Sequence, residues 1–136
     1  MERAIVHDPI FLARASTPAT PEDASVADDL ADTLLANREK CVGMAANMIG
    51  VSRRIIVFFD EDKLSEMFNP VVLSGKMPFE AEEGCLSLDG VRRVKRYKSV
   101  RVQWQTRTGE KRIKTFVGWT AQIIQHEVDH CNGILI

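Results

Sequence analysis

Apolar residues recur at two different periods along the 136-residue chain. Val26, Leu30 and Leu34 stand four apart, which places one buried stripe on a helix. Thr20 is its candidate N-cap, Pro21 takes the first helical position, and Glu22 and Asp23 fill the first turn. The helix is predicted to run to about Asn37. Arg53 to Phe59 carries Ile-Ile-Val-Phe-Phe and reads as a strand buried on both faces. Phe68 to Leu73 is a second candidate, which Pro70 confines to an edge or a strand start.

Between residues 91 and 117 the pattern is strict alternation. Val100, Val102 and Trp104 oppose Arg101, Gln103 and Gln105. Thr108-Gly109 supplies a turn, and Ile113, Thr115 and Val117 give a weaker second alternation, so the segment is a hairpin with one wet, basic face. A last helix spans about Trp119 to Asn132, with Ile123, Ile124 and Val128 on its apolar side and Gly133 as its stop. Runs of strands rather than strict βαβ alternation make this an α+β fold. At this length, residues 1–136 form one domain.

Composition narrows the class. Hydrophobic residues are 45% and charged residues 27%, which excludes disordered and collagen-like chains. A net charge of -1 gives no electrostatic case for a sequence-specific nucleic-acid binder. The cluster Arg92, Arg93, Lys95, Arg96 and Lys98 reads as a solvated strand face. The N-terminus lacks signal-peptide character, and no run approaches the ~20 apolar residues that span a bilayer. A soluble, cytoplasmic protein without membrane partners is expected. Three cysteines, at 41, 85 and 131, are an odd number and suit a reducing compartment.

The chemistry concentrates in His126-Glu127-Val128-Asp129-His130, an H-E-x-x-H pattern on the last helix. Histidines four apart project from one helix face and can converge on one ion, while Glu127 can reach a water held there. A catalytic site needs a third protein ligand. Spacing leaves it open among His7, the acids, Cys41 and Cys85, with Gly84 slightly favouring Cys85. Cys131 points about 100° away from His130 and reads as a core thiol.

Three segments resemble the peptide deformylases. Gly43-Met44-Ala45-Ala46-Asn47-Met48 is similar to the end of that family's G-x-G-x-A-A-x-Q motif. Glu83-Gly84-Cys85-Leu86-Ser87 matches its E-G-C-L-S, and Gln125 to His130 matches its Q-H-E-x-D-H. The resemblance implies antiparallel β-sheets packed around a central C-terminal H-E-x-x-H helix, with an N-terminal helix. It implies Cys85, His126 and His130 as ligands of one divalent metal ion, Fe2+ first, with Zn2+ or Ni2+ also able to serve. It implies metal-bound hydroxide attacking the formyl group of N-formylmethionyl peptides. Glu127 would be the general base and the Leu86 N–H an oxyanion donor. Gly43, Met44, Met48, Glu83 and Gly84 would line the substrate, whose backbone pairs strand-like near Gly43 and Met44.

Two positions depart from the family pattern. Met48 stands where the motif has glutamine, and a thioether donates no hydrogen bond. Losing such a donor costs about 10²–10³ in rate in comparable sites. Three outcomes are open: slow deformylation, a replacement donor such as Asn47, or another N-acyl group as substrate. Cys41 stands where the motif has its first glycine. It is either a small buried residue or, near the metal, an oxidation-sensitive thiol, and it would be strained if its φ were positive. The competing functional readings are a non-catalytic metal-binding paralogue acting as a peptide-binding module, and an H-E-x-x-H endopeptidase. Glu127 argues against the first and the E-G-C-L-S cysteine against the second. Docking of the basic hairpin on a ribosome is a further expected partnership that residues alone leave open.

Overall fold

Strand β2 (Ile55–Asp60) shows how the chain folds. Ile55, Val57 and Phe59 point to one side and pack with Leu30 and Leu34 of helix α2 (Ala24–Ala36). Ile56 and Phe58 point to the other and pack with Ile123, Ile124 and Val128 of helix α3 (Gly118–Cys131). The apolar run therefore has no polar alternation because a helix covers each face. The computed structural model describes residues 1–136.

The sheet has five strands in the order β1-β2-β3-β4-β5, every neighbour antiparallel. Strand β1 (Gly43–Ala45) is one edge, and β5 (Lys111–Val117) is the other. Between them lie β2, β3 (Lys63–Cys85) and β4 (Leu88–Gln105). Together with α2 and α3 this is the expected α+β arrangement. A four-residue helix α1 (Pro9–Leu12) precedes them, capped by the Asp8 carboxylate on the Ile10 N–H with Pro9 in its first turn. The sequence pattern gave no sign of α1, which is shorter than two turns.

Two expectations need correction. Pro70 is inside β3 rather than at a strand start, and from there on β3 has a strand neighbour on one side only. It lies where β3 passes from pairing with β2 to pairing with β4, at a register shift between Phe68 and Val71. A bulge tolerates the missing N–H. Asn69 makes the bend at φ 53° and ties it down, its amide bonded to Ala19 on both sides and to Gln105. In β5 the phase is the reverse of the apolar alternation: Ile113 and Val117 are half or more exposed, whereas Phe116 is buried. The register places Phe116 opposite Val100. One residue's shift exchanges the two faces, and only the pairing with β4 fixes which face is wet.

Helix α3 ends at Gly133 (φ 74°), where a Cβ would lie 2.5 Å from the Ala13 carbonyl oxygen. The N-terminal segment crosses there, and Ser16 N–H donates to Cys131 O at 2.8 Å. No helix is long and apolar enough to cross a membrane.

Candidate metal centre

Cys85 is the last residue of β3, and Leu86-Ser87 is the two-residue turn into β4, with Cys85 paired to Leu88. The turn places the thiol over α3. Its sulfur lies 3.3 Å from His130 Nε2, which lies 3.2 Å from His126 Nε2. The ligand atoms of all three residues fall within 4.8 Å of one another. Two imidazole nitrogens and one thiolate facing a single point are a donor set that suits Zn2+, Fe2+ or Ni2+. His130 Nδ1 is buried without a protein partner, and Nε2 is the nitrogen that faces Cys85 and His126. The residues fit the implied ion.

A second layer of side chains holds the first. Glu83 Oε1 bonds His126 Nδ1 at 2.8 Å, which turns Nε2 toward the cluster. The same carboxylate takes two bonds from Arg96 and one from Gln122. Burial works against its charge, but the bonds from His126, Arg96 and Gln122 outweigh it and hold the carboxyl down at about 2. Arg96 also meets Asp129 at 2.7 Å, and it is only 5% exposed. It is not part of a solvated face, as the charge run suggested, but the buried pin between β4 and α3. Gln125 completes that pin: its amide accepts from Tyr97 N–H and donates to Tyr97 O. Two positions of the third motif, Gln125 and Asp129, thus fasten the helix that carries the histidines.

Burial opposes a charge on His126, yet its bonds to Cys85 and Glu83 lift it to about 10. Burial and the neighbouring His126 charge push His130 down to about 3. Glu127 is 4% exposed, and its Oε1 has no hydrogen-bond partner. Burial raises it to about 7. Gly43 packs against it: a Cβ there would stand 2.9 Å from Glu127 Oε2 and from the Ile123 side chain. Glycine at 43 is what lets β1 lie this close to the carboxylate.

These groups open into a cavity of about 710 Å³. Gly43, Met48, Glu83, Gly84, Cys85, Leu86, His126 and Glu127 line it. Met44 does not; its side chain is fully buried in the core beneath α2. Met48 is on the 3-10 turn Ala46–Ile49 that follows β1. Asn47, the alternative amide, is turned away: its Nδ2 donates to His130 O at 2.9 Å. Cys41 lines the cavity, and its backbone is outside the positive-φ region. Burial, with the charges of Glu127 and Cys85 nearby, raises its thiol to about 11, so it stays protonated. Cys131 is fully buried in the α3 core. Arg96, Gln122, Gln125 and Asp129 escaped the sequence reading. Gln125 and Asp129 could have been found, being fixed letters of a motif that had no ligand role to give them.

The model of the polypeptide deformylase family matches residues 4–136. A peptide deformylase of Clostridium beijerinckii is 52% identical over 136 residues, covering all of both chains. A crystal structure of a peptide deformylase from Legionella pneumophila is 35% identical with a TM-score of 0.88, covering 99% of this chain and 83% of that one. A Met-Ala-Ser-bound class I type b peptide deformylase from Acinetobacter baumannii is 30% identical with a TM-score of 0.89, covering 99% and 97%.

Proposed function

The chain belongs to the polypeptide deformylase family, hydrolases that remove N-formyl groups from peptides, and from that premise we propose how its own residues do this. Residues 1–136 act as one deformylase domain, with Cys85, His126 and His130 holding one divalent ion, Fe2+ by preference. When bound, the cation supplies Lewis acidity, lowering the pKa of a water and polarising a carbonyl oxygen.

The free edge of β1 at Gly43 and Met44 receives the peptide backbone as an added strand. That the tripeptide Met-Ala-Ser binds the Acinetobacter baumannii relative supports a peptide in this cavity. Glu127 takes the proton of the attacking water and passes it to the departing amine, giving formate and a free N-terminus. An acid near 7 exchanges protons readily at neutral pH. The Leu86 N–H, at the tip of the β3–β4 turn, donates to the oxyanion. Glu83 acts behind His126 rather than on substrate, since protein donors occupy both of its oxygens.

The single observation that carries the proposal is the buried, unpartnered carboxylate of Glu127 at the wall of the cavity that holds the three-ligand cluster. A merely structural metal site, as in a peptide-binding module, would have no use for it. Met48 at the cavity wall supplies no donor, so activity should be modest and the preference among acyl groups altered. Substrates would be N-formylated or other N-acylated nascent peptides, met in the cytoplasm and at the ribosome. The Cys85 ligand supports that placement, because an oxidised thiol would no longer coordinate.

The test is turnover of formyl-, acetyl- and longer N-acyl-Met-Ala-Ser by anaerobically prepared iron protein. The proposal predicts hydrolysis of the formyl peptide. Metal-loaded protein that cleaves none of the panel would contradict it.

A further inference from the structure

The N-terminal segment reaches both walls of the candidate oxyanion site. Val6 N–H donates to Met48 O at 2.8 Å. The next residue, His7, places Nδ1 2.9 Å from Ser87 O. A carbonyl only accepts, so Nδ1 carries the proton and donates. One dipeptide thereby spans the 3-10 turn bearing Met48 and the turn Cys85–Leu88 bearing Leu86. Its own backbone is held just downstream, where Asp8 caps α1 and Pro9 opens it.

The turn it grips has few other restraints. Ser87 Oγ is buried and bonds nothing. The Ser87 N–H reaches only the Cys85 sulfur, at 3.4 Å. The Cys85–Leu88 pairing closes the turn but leaves the Leu86-Ser87 peptide planes to be set by what binds their outer groups. Fixing the Ser87 carbonyl limits rotation of the turn and with it the direction of the Leu86 N–H. Since Met48 offers no second side-chain donor, the direction of that N–H matters more here than in a site with two.

We propose that His7 is a positioning residue for deformylation, its Nδ1–H holding the Cys85–Leu88 turn so that the Leu86 N–H points at the oxyanion. For its activity readout the inference rests on the deformylase reading; its structural readout does not.

The experiment compares His7→Ala, His7→Asn and His7→Gln in the iron-loaded protein. Asparagine can place an amide N–H near the position of Nδ1, and glutamine places it near Nε2. Turnover of formyl-Met-Ala-Ser is measured together with amide hydrogen exchange of residues 86–88 and the melting temperature. His7→Ala should lower kcat by about three- to tenfold, the range one neutral hydrogen bond supplies. KM, metal content and melting temperature should stay near wild type. Exchange at 86–88 should rise while that of α3 does not. His7→Asn should restore both kcat and protection, and His7→Gln should restore neither. Unchanged exchange at 86–88 in His7→Ala would overturn the inference, as would asparagine and alanine behaving alike or activity falling only in step with melting temperature. A wild-type protein inactive on the formyl peptide would sink the deformylase reading instead, and the exchange data would still decide whether His7 holds the turn.

Discussion

Met48 and Glu127 pose the two sharpest questions at the scale of single residues. Met48 is 2% exposed and lines the cavity, while the neighbouring amide of Asn47 is committed to His130 O. Asn47 is therefore not free to replace the glutamine of the family motif. Met48→Gln should raise kcat for formyl-Met-Ala-Ser by up to about 10²-fold, the cost of one missing oxyanion donor. Steady-state kinetics of the iron protein would check this, and an unchanged kcat would show that the site does not depend on that donor. Glu127 yields a pH prediction for the metal-free protein. Burial raises it from 4.5 to about 7. Folding therefore favours the protonated acid, and the stability it allows is present below pH 4.5 and lost as pH climbs through 7. Glu127→Gln cannot ionise, so its advantage in melting temperature over metal-free wild type should grow across that window. Thermal scans from pH 4.5 to 8 would show it, and a gap independent of pH would contradict it.

The elements were legible where one neighbour decides their pattern. The α2 stripe of Leu30 and Leu34 and the doubly buried β2 are visible in sequence because burial alone sets them. The phase of β5 was not, because strand faces alternate and only the pairing of Phe116 with Val100 tells inside from outside. Arg96 was hidden for a related reason. It stands in a basic run whose other members are solvated, and its partners Glu83 and Asp129 come from β3 and α3. Charge counting cannot see a pair that forms only after three elements meet. The run itself supplies the test. Arg96→Met takes the guanidinium away from the buried Glu83 and the partly buried Asp129 and should cost about 3–5 kcal/mol. Arg93 is 70% exposed and pairs with Glu80 at 3.6 Å, so Arg93→Met should cost under about 1 kcal/mol. Urea unfolding of the two variants would measure the contrast, and equal losses would refute the pin between β4 and α3.

On the scale of the whole molecule, the fold brings a turn, a helix and a sheet edge to one cavity. Cys85 comes from the end of β3, His126, Glu127 and His130 from α3, and Gly43 and Met48 from β1 and the 3-10 turn after it. The two histidines of the candidate cluster were readable from their four-residue spacing, whereas Cys85 was chosen by family resemblance, since it stands 41 positions before His126 and no local period links them. The fasteners behind the ligands, Glu83, Arg96, Gln122 and Gln125, belong to packing that sequence spacing does not encode. The central claim is that Glu127 performs proton transfer beside an ion it does not bind. The most direct measurement is metal content and formyl-Met-Ala-Ser turnover for Glu127→Ala, prepared anaerobically with iron. The account predicts one metal per chain and a loss of at least about 10²-fold in kcat, the contribution of a general base. A variant that keeps both its metal and its turnover would contradict it.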